Sequence, residues 1–366
     1  MIGSALPWYE HWAADAPADW AVVTPSSCIN YADLLEHIVR QEQSLSVRGY
    51  RRGDRLLHAD RPGTVDWIVT LLAGLGLGLQ VVLPDEDWPE ERIPLHTGSL
   101  FVPDTATAGH TPAGIWLFTS GTTAVPKPRL RTLAHLRADI ARVHDRLPAT
   151  IRCNRPASLC LLPLSHGFGL LNSLLSVHAF GGTAVIEEIG QPQRIAAALH
   201  RYPVQVLYSW PAHLHKLSDP ELWQQAAAPL LWCVSSSLRL TAETARAFAA
   251  ASGCPVRQQY GTTETGPLCV DGGEPPADEP HCMGTPLNGV EVRVLDADGR
   301  SRADGQAGEL AVRLAPHQLP DHELTADGFW PTGDHGCLDR HGRVHVLGRY
   351  RAFTDERRDD TSHFQR

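Results

Sequence analysis

The segment FTSGTTAVPKP, positions 118–128, gathers hydroxyls, a glycine and a lysine at close spacing. Thr119, Ser120, Thr122 and Thr123 offer small donors, Gly121 lets backbone approach closely, and Lys127 adds a positive charge four residues on. Such a run can wrap phosphate oxygens with N–H groups and hydroxyls while the ammonium balances their charge. It is not a G-x-x-x-x-G-K-[ST] loop, because no second glycine precedes the lysine and Pro128 follows it. Lysine is scarce: Lys and Arg together number 32, yet only Lys127 and Lys216 are lysine, so lysine chemistry falls on one of these two. Other constellations carry less. His213 and His215 flank a helix start, and His341 and His345 span a turn into a strand, so neither pair reads as a metal site. Gly74, Gly76 and Gly78 end a helix and are wrongly spaced for a dinucleotide fingerprint. No serine sits in a G-x-S-x-G elbow.

The phosphate-type loop follows a short apolar run, GIWLFT (114–119), which reads as a buried strand. Further runs of this kind are ASLCLLPL (157–164), TAVIEE (183–188), VQVLYS (204–209) and LLWCVS (230–235). Helical periodicity marks 31–47, 66–77, 132–147, 192–201 and 241–252. Strands alternating with helices, and apolar without a period of two, predict layered α/β sheets covered on both faces. Past about residue 272 the pattern changes. GGEPPADEP (272–280) is a loop by composition, and VEVRVLD (290–296), GELAVRL (308–314) and GRVHVLG (342–348) alternate between turns. They predict a small antiparallel β subdomain, giving a division into 1–271, 272–348 and a charged tail at 349–366.

Composition excludes some classes. A net charge of −9 offers no basic face for nucleic acid. The eight cysteines include no C-x-x-C pair and mostly sit in apolar runs, as expected of free thiols in the cytoplasm. No secretory leader is evident, and the most apolar window, 68–83, is short for a membrane span; it reads as a buried helix entering a buried strand.

The loop TSGTTAVPK resembles the phosphate loop of the adenylate-forming superfamily of acyl-CoA synthetases, aryl-acid ligases and peptide-synthetase adenylation domains. Other segments resemble that family in its order: DWIVTLLAGLGLGLQVVLPDE (66–86), LPLSHGFGL (162–170), CVSSSLRL (233–240), QQYGTTETG (258–266), MGTPLNGVEVRVLD (283–296), GELAVR (308–313) and FWPTGDHGCLDRHGRVHVLGR (329–349). The resemblance implies the large N-terminal domain fold of that family and a role for each matching residue. Thr119, Ser120, Gly121, Thr122, Thr123 and Lys127 would hold the β- and γ-phosphates. Ser235, Ser236 and Ser237, with Tyr260, Gly261 and Thr262, would flank the adenine. Thr263 would reach the α-phosphate, Glu264 would hold Mg2+, and Asp334 would accept the ribose hydroxyls with Arg349 close by. His166 would sit where acid and nucleotide meet, beside an acid pocket formed with Phe168, Tyr208, Trp210 and Gly261.

Two positions depart from the family pattern. Ala124 stands where a glycine is usual, which weakens close backbone approach. Beyond Arg349 only positions 350–366 follow, without lysine, where the family continues into a mobile lid carrying a catalytic lysine. The implied function is ATP-dependent activation of a small carboxylic acid to an acyl-adenylate. The acyl group then passes to CoA or to a carrier-protein phosphopantetheine, with a lid-domain protein in trans as a further partner. An aryl or short acyl acid suits the pocket segments, which bring no carboxylate to meet an α-amine. The competing reading is a catalytically impaired nucleotide or acyl-adenylate binder acting as regulator or scaffold.

Overall fold

The computed structural model describes residues 5–85, 88, 93, 112–119, 126–273, 279–315, 319 and 324–350. Two packed helices show how the sequence dictates its elements. Helix Tyr31–Val47 starts where the Asn30 side chain accepts the Asp33 N–H, and it buries Tyr31, Leu34, Ile38 and Leu45 along one stripe. Each such aliphatic side chain contributes on the order of 1.5–3 kcal/mol by leaving water. It packs on helix Val65–Gly76, capped by Thr64 and buried along most of its length. That helix leads into strand Gln80–Val82, as the apolar window predicts. Among the described residues no helix is long and apolar enough to cross a membrane.

Three sheets follow. A four-stranded sheet runs Arg55–Leu57, Gln80–Val82, Gly114–Phe118, Pro128–Thr132; the first three are parallel and the last is antiparallel. A nine-stranded sheet has Ala157–Cys160, Val204–Ser209, Trp232–Ser235 and Val256–Thr262 as parallel inner strands, with antiparallel pairs at both edges. The third sheet is antiparallel: Glu291–Leu295, Gly308–Arg313, Trp330–Leu338, Val344–Arg349. This is the layered α/β architecture with a separate small β sheet that the sequence predicts. Thr285–Pro286, past the predicted change of character, still pairs at the edge of the nine-stranded sheet.

Several strands are shorter than their apolar runs. The run at 157–164 keeps only Ala157–Cys160 in the sheet, and Pro163, lacking an N–H, lies in the turn that follows. The chain then enters a π-helical stretch, Gly169–Leu175, buried throughout and not anticipated from the sequence. The N-terminal helix Trp8–Asp15 was likewise not foreseen.

The hairpin of the first sheet connects to the second through buried charges. Arg131, on the strand after the phosphate-type loop, is 2% exposed, and Asp139, on helix Leu133–Arg146, is 1% exposed. Arg131 Nη2 donates to Asp139 Oδ2 at 2.6 Å and to the Thr265 carbonyl at 3.1 Å, while Nη1 donates to the Glu264 carbonyl at 2.5 Å. Arg142 binds the other oxygen of Asp139. Removing one partner strands a charge away from water, so Asp139→Ala is expected to cost about 3–5 kcal/mol of stability. Denaturant unfolding checks this; a loss below about 1 kcal/mol would show that the triad is not holding these elements together.

Candidate functional site

The base of the phosphate-type loop is a closed hairpin. Thr119 N–H donates to the Lys127 carbonyl at 3.0 Å, and Lys127 N–H donates to Thr119 Oγ1 at 3.2 Å. Gly114 is needed below it, since a Cβ there would stand 2.4 Å from the Arg131 carbonyl. Lys127 is exposed at the rim. Ser120, Gly121, Thr122, Thr123 and Ala124 lie outside the described residues, as do positions 274–278 and the tail at 351–366.

Tyr260 to Gly266 form a tight antiparallel turn. Thr262 and Thr265 exchange hydrogen bonds, the Thr262 N–H to Thr265 Oγ1 at 3.3 Å and the Thr265 N–H to Thr262 Oγ1 at 3.2 Å. Gly261 is required by this closeness, because a Cβ would meet the Gly266 carbonyl at 2.4 Å. Gly266 has φ +71°, and a Cβ there would run into Asp139 and Arg131. Glu264 is thereby held at the crest of the turn, with its Oε1 3.3 Å from Arg129 Nε. A glutamate oxygen suits a hard divalent cation. Thr263, beside it, is half-buried.

Asp334 meets Tyr260 from the small sheet. The Tyr260 hydroxyl donates to Asp334 Oδ2 at 2.7 Å, and Arg349 Nη1 lies 3.2 Å from Oδ1. The Asp334 N–H donates to Thr332 Oγ1, which is itself anchored to the Leu310 carbonyl. Burial raises the Asp334 carboxyl above the usual carboxylate range and Glu264 adds to this, against the lowering by Tyr260 and Arg349. Burial also pushes the Tyr260 phenol well up, and the charge of Asp334 adds to it, so the phenol remains a donor. On the neighbouring strand Ser235 is buried, and its Oγ has no hydrogen-bond partner among the described residues. Ser236 Oγ donates to the Gln259 carbonyl at 2.8 Å, and Ser237 takes φ +72°, a left-handed conformation uncommon for serine. These residues form the turn at the strand end next to Tyr260.

The residues expected to border the acid form two layers. His166 and Trp210 are partly exposed, with their rings edge to face at 5.8 Å. Phe168 and Tyr208 pack edge to face at 6.0 Å behind them and belong to the core that also holds Tyr260. Burial lowers the His166 imidazole below its ordinary value, favouring the neutral ring, whose Nδ1 accepts the Phe168 N–H at 3.3 Å. A Cβ at Gly167 would stand 3.2 Å from Leu117, so the segment lies against the strand feeding the phosphate-type loop.

The sequence reading missed Arg129, Arg131 and Asp139. The available signal was Asp139 itself, a carboxylate on the same stripe as Leu136, Ile140 and Val143. It also missed a grouping of Glu279, Cys282 and His345, whose ligand atoms lie within 4.8 Å of one another. There Arg343 already stands 3.0 Å from Glu279 and 2.7 Å from Asp339, and Asp339 is 3.2 Å from His345, so an arginine supplies the counter-charge.

Residues 101–317 match the model of the AMP-binding enzymes, and the chain belongs to that family, the adenylate-forming superfamily. It is 32% identical over 253 residues to a sulfoacetate–CoA ligase of Cupriavidus necator, covering 64% of this chain and 47% of that protein. The fold is similar to that of O-succinylbenzoate coenzyme A synthetase from Bacillus subtilis, solved with ATP and magnesium ion: TM-score 0.78, 19% identity, 93% of this chain and 79% of that one. It is also similar to the N-terminal domain of FACL13 from Mycobacterium tuberculosis, with TM-score 0.74 and 20% identity over 95% of this chain and 99% of that chain. The chain spans about half the length of the curated relatives it matches.

The raised Asp334 carboxyl has a consequence for stability. A folded pKa above the unfolded value means that the ionised form is disfavoured in the fold, so the penalty grows as pH rises from the ordinary carboxylate range. Asp334→Asn, which can still accept from Tyr260, should therefore melt no lower than the parent at neutral pH. Its advantage should shrink as pH falls toward about 4. Melting temperatures across that range decide it, and a clear destabilisation at neutral pH would contradict the argument.

Proposed function

We propose that this chain binds ATP and a small carboxylic acid and joins them as an acyl-adenylate. The observation that carries this reading is the meeting of Tyr260, Asp334 and Arg349 beside the Glu264 turn, with Lys127 at the mouth of the adjoining hairpin. In the reaction a carboxylate oxygen of the acid attacks the α-phosphorus. A new P–O bond forms, the α–β bridge breaks, and pyrophosphate leaves with that electron pair.

Each residue then has a task. Lys127 and Thr119, with Ser120, Gly121, Thr122 and Thr123, hold the β- and γ-phosphates. The Tyr260 ring lies along the adenine, its tilt fixed by the hydroxyl bond to Asp334, with Gly261, Thr262 and the Ser235–Ser237 turn at the base edge. Asp334 accepts the ribose hydroxyls. Each carboxylate oxygen offers two lone pairs, so its bonds to Tyr260 and Arg349 leave capacity for them. Thr263 donates to the α-phosphate. Glu264 is the residue that would hold Mg2+, which when bound offsets phosphate charge. Neutral His166 and Trp210 border the acid, and Phe168 and Tyr208 stiffen that wall. None of these four side chains is a carboxylate and three are apolar or aromatic, which favours an aryl or short acyl acid over an amino acid, although Asp85 lies within electrostatic reach of His166. Transfer to a CoA or carrier-protein phosphopantetheine thiol follows.

Exchange of labelled pyrophosphate into ATP, measured over a panel of aryl and acyl acids, tests the reading. The parent chain should show acid-dependent exchange. Lys127→Ala and Asp334→Ala should each lose about 10²–10³ of it, the scale of one preorganised electrostatic contact. ATP binding with no exchange for any acid would instead identify a nucleotide-binding regulator or scaffold.

A further inference from the structure

Cations recur at every second position from the phosphate-type loop into the strand that follows it: Lys127, Arg129 and Arg131. Side chains two apart on a strand share a face, so Arg129 and Arg131 project toward one side, with Lys127 just before the strand. Their surroundings separate them. Lys127 is exposed at the loop, and Arg131 is buried on Asp139 and the backbone of Glu264 and Thr265. Arg129 lies between them and meets the Glu264 carboxylate, with side-chain exposures of 25% and 15% for the pair.

Glu264 therefore carries a counter-charge supplied by the chain itself. Without one, Glu264 and Asp334 would place two carboxylates in a partly buried site meant to receive a polyanion, and the charge of Glu264 does raise the Asp334 carboxyl. The contact with Glu264 runs through Arg129 Nε. A guanidinium has five donors in a planar fork, so bonding through Nε does not exhaust it; its Nη groups can bind phosphate oxygens in the same plane.

We propose that Arg129 is a resident counter-ion that bridges Glu264 to the nucleotide phosphates, so that ATP binding by this chain depends only weakly on divalent metal. The proposal rests on the nucleotide reading above and adds to it. Arg129 stands where a divalent cation would neutralise Glu264, and it competes with that cation for the carboxylate.

The test is the ratio of ATP dissociation constants in EDTA and in Mg2+, read by calorimetry on the full chain. For the parent the ratio should stay below about threefold. Arg129→Gln leaves Glu264 uncompensated, so its ratio should exceed about tenfold, the scale of one partly screened charge contact. Arg129→Lys, which keeps the charge but not the fork, should fall between them and carries the test if the glutamine variant does not fold. In Arg129→Gln/Glu264→Gln the ratio should return toward that of the parent, because the uncompensated Glu264 carboxylate that recruits metal is gone. Equal ratios in the parent and both single variants, or a parent ratio above tenfold, would overturn the role of Arg129 alone. Absence of ATP binding by the parent in both buffers would overturn the nucleotide reading, and this proposal with it.

Discussion

Three charges held out of water, Arg131, Asp139 and Arg142, fix the relation between the hairpin below the phosphate-type loop and the turn that presents Glu264. Buried ion pairs of this kind add little net stability compared with apolar packing, but losing one member is costly. Their value here is positional. Arg131 belongs to the four-stranded sheet, Asp139 to the helix that follows it, and the carbonyls Arg131 binds belong to the turn joining two strands of the nine-stranded sheet. Gly266 completes the arrangement, since the left-handed backbone and the space taken by Asp139 exclude any side chain.

The second junction has a different physical character. Tyr260 and Asp334 come from different sheets and are joined by one hydrogen bond, with Arg349 on the other carboxylate oxygen. Burial disfavours the ionised carboxylate, and its partners offset only part of that cost. A carboxylate kept in this state is primed for ligand donors, which fits the ribose role proposed for it. The Arg129–Glu264 pair would follow the same logic at the proposed phosphate end, where an arginine stands beside an acidic group. Across the site each of the two carboxylates, Glu264 and Asp334, is paired with an arginine from another strand.

Much of this was legible in the sequence because it is local. Helix Tyr31–Val47 follows from its period and its Asn30 cap, helix Pro192–Arg201 from a proline at its start, and strand Val204–Ser209 from its apolar run. The turns at 296–300 and 339–343 each place an aspartate whose Oδ1 accepts two backbone N–H groups, which sequence alone suggests. The π-helical stretch was not legible, because a run of buried small and aliphatic residues is compatible with several helix types. Its register follows from packing such as Gly169 against the Pro163 carbonyl.

For the site, residue types and their order can be read along the chain: the hydroxyl-rich loop with Lys127, the Tyr260–Gly266 segment, and Asp334 with Arg349. Those are contiguous strings whose chemistry is readable one residue at a time. Only the tertiary structure decided which of them meet, that Phe168 and Tyr208 stand behind His166 and Trp210, and that Arg129 and Arg131 serve Glu264 from 135 and 133 residues away. The physical reason is that charge pairing and burial depend on distances between elements brought together by packing. Spacing along a chain does not encode those distances beyond one helix or one hairpin.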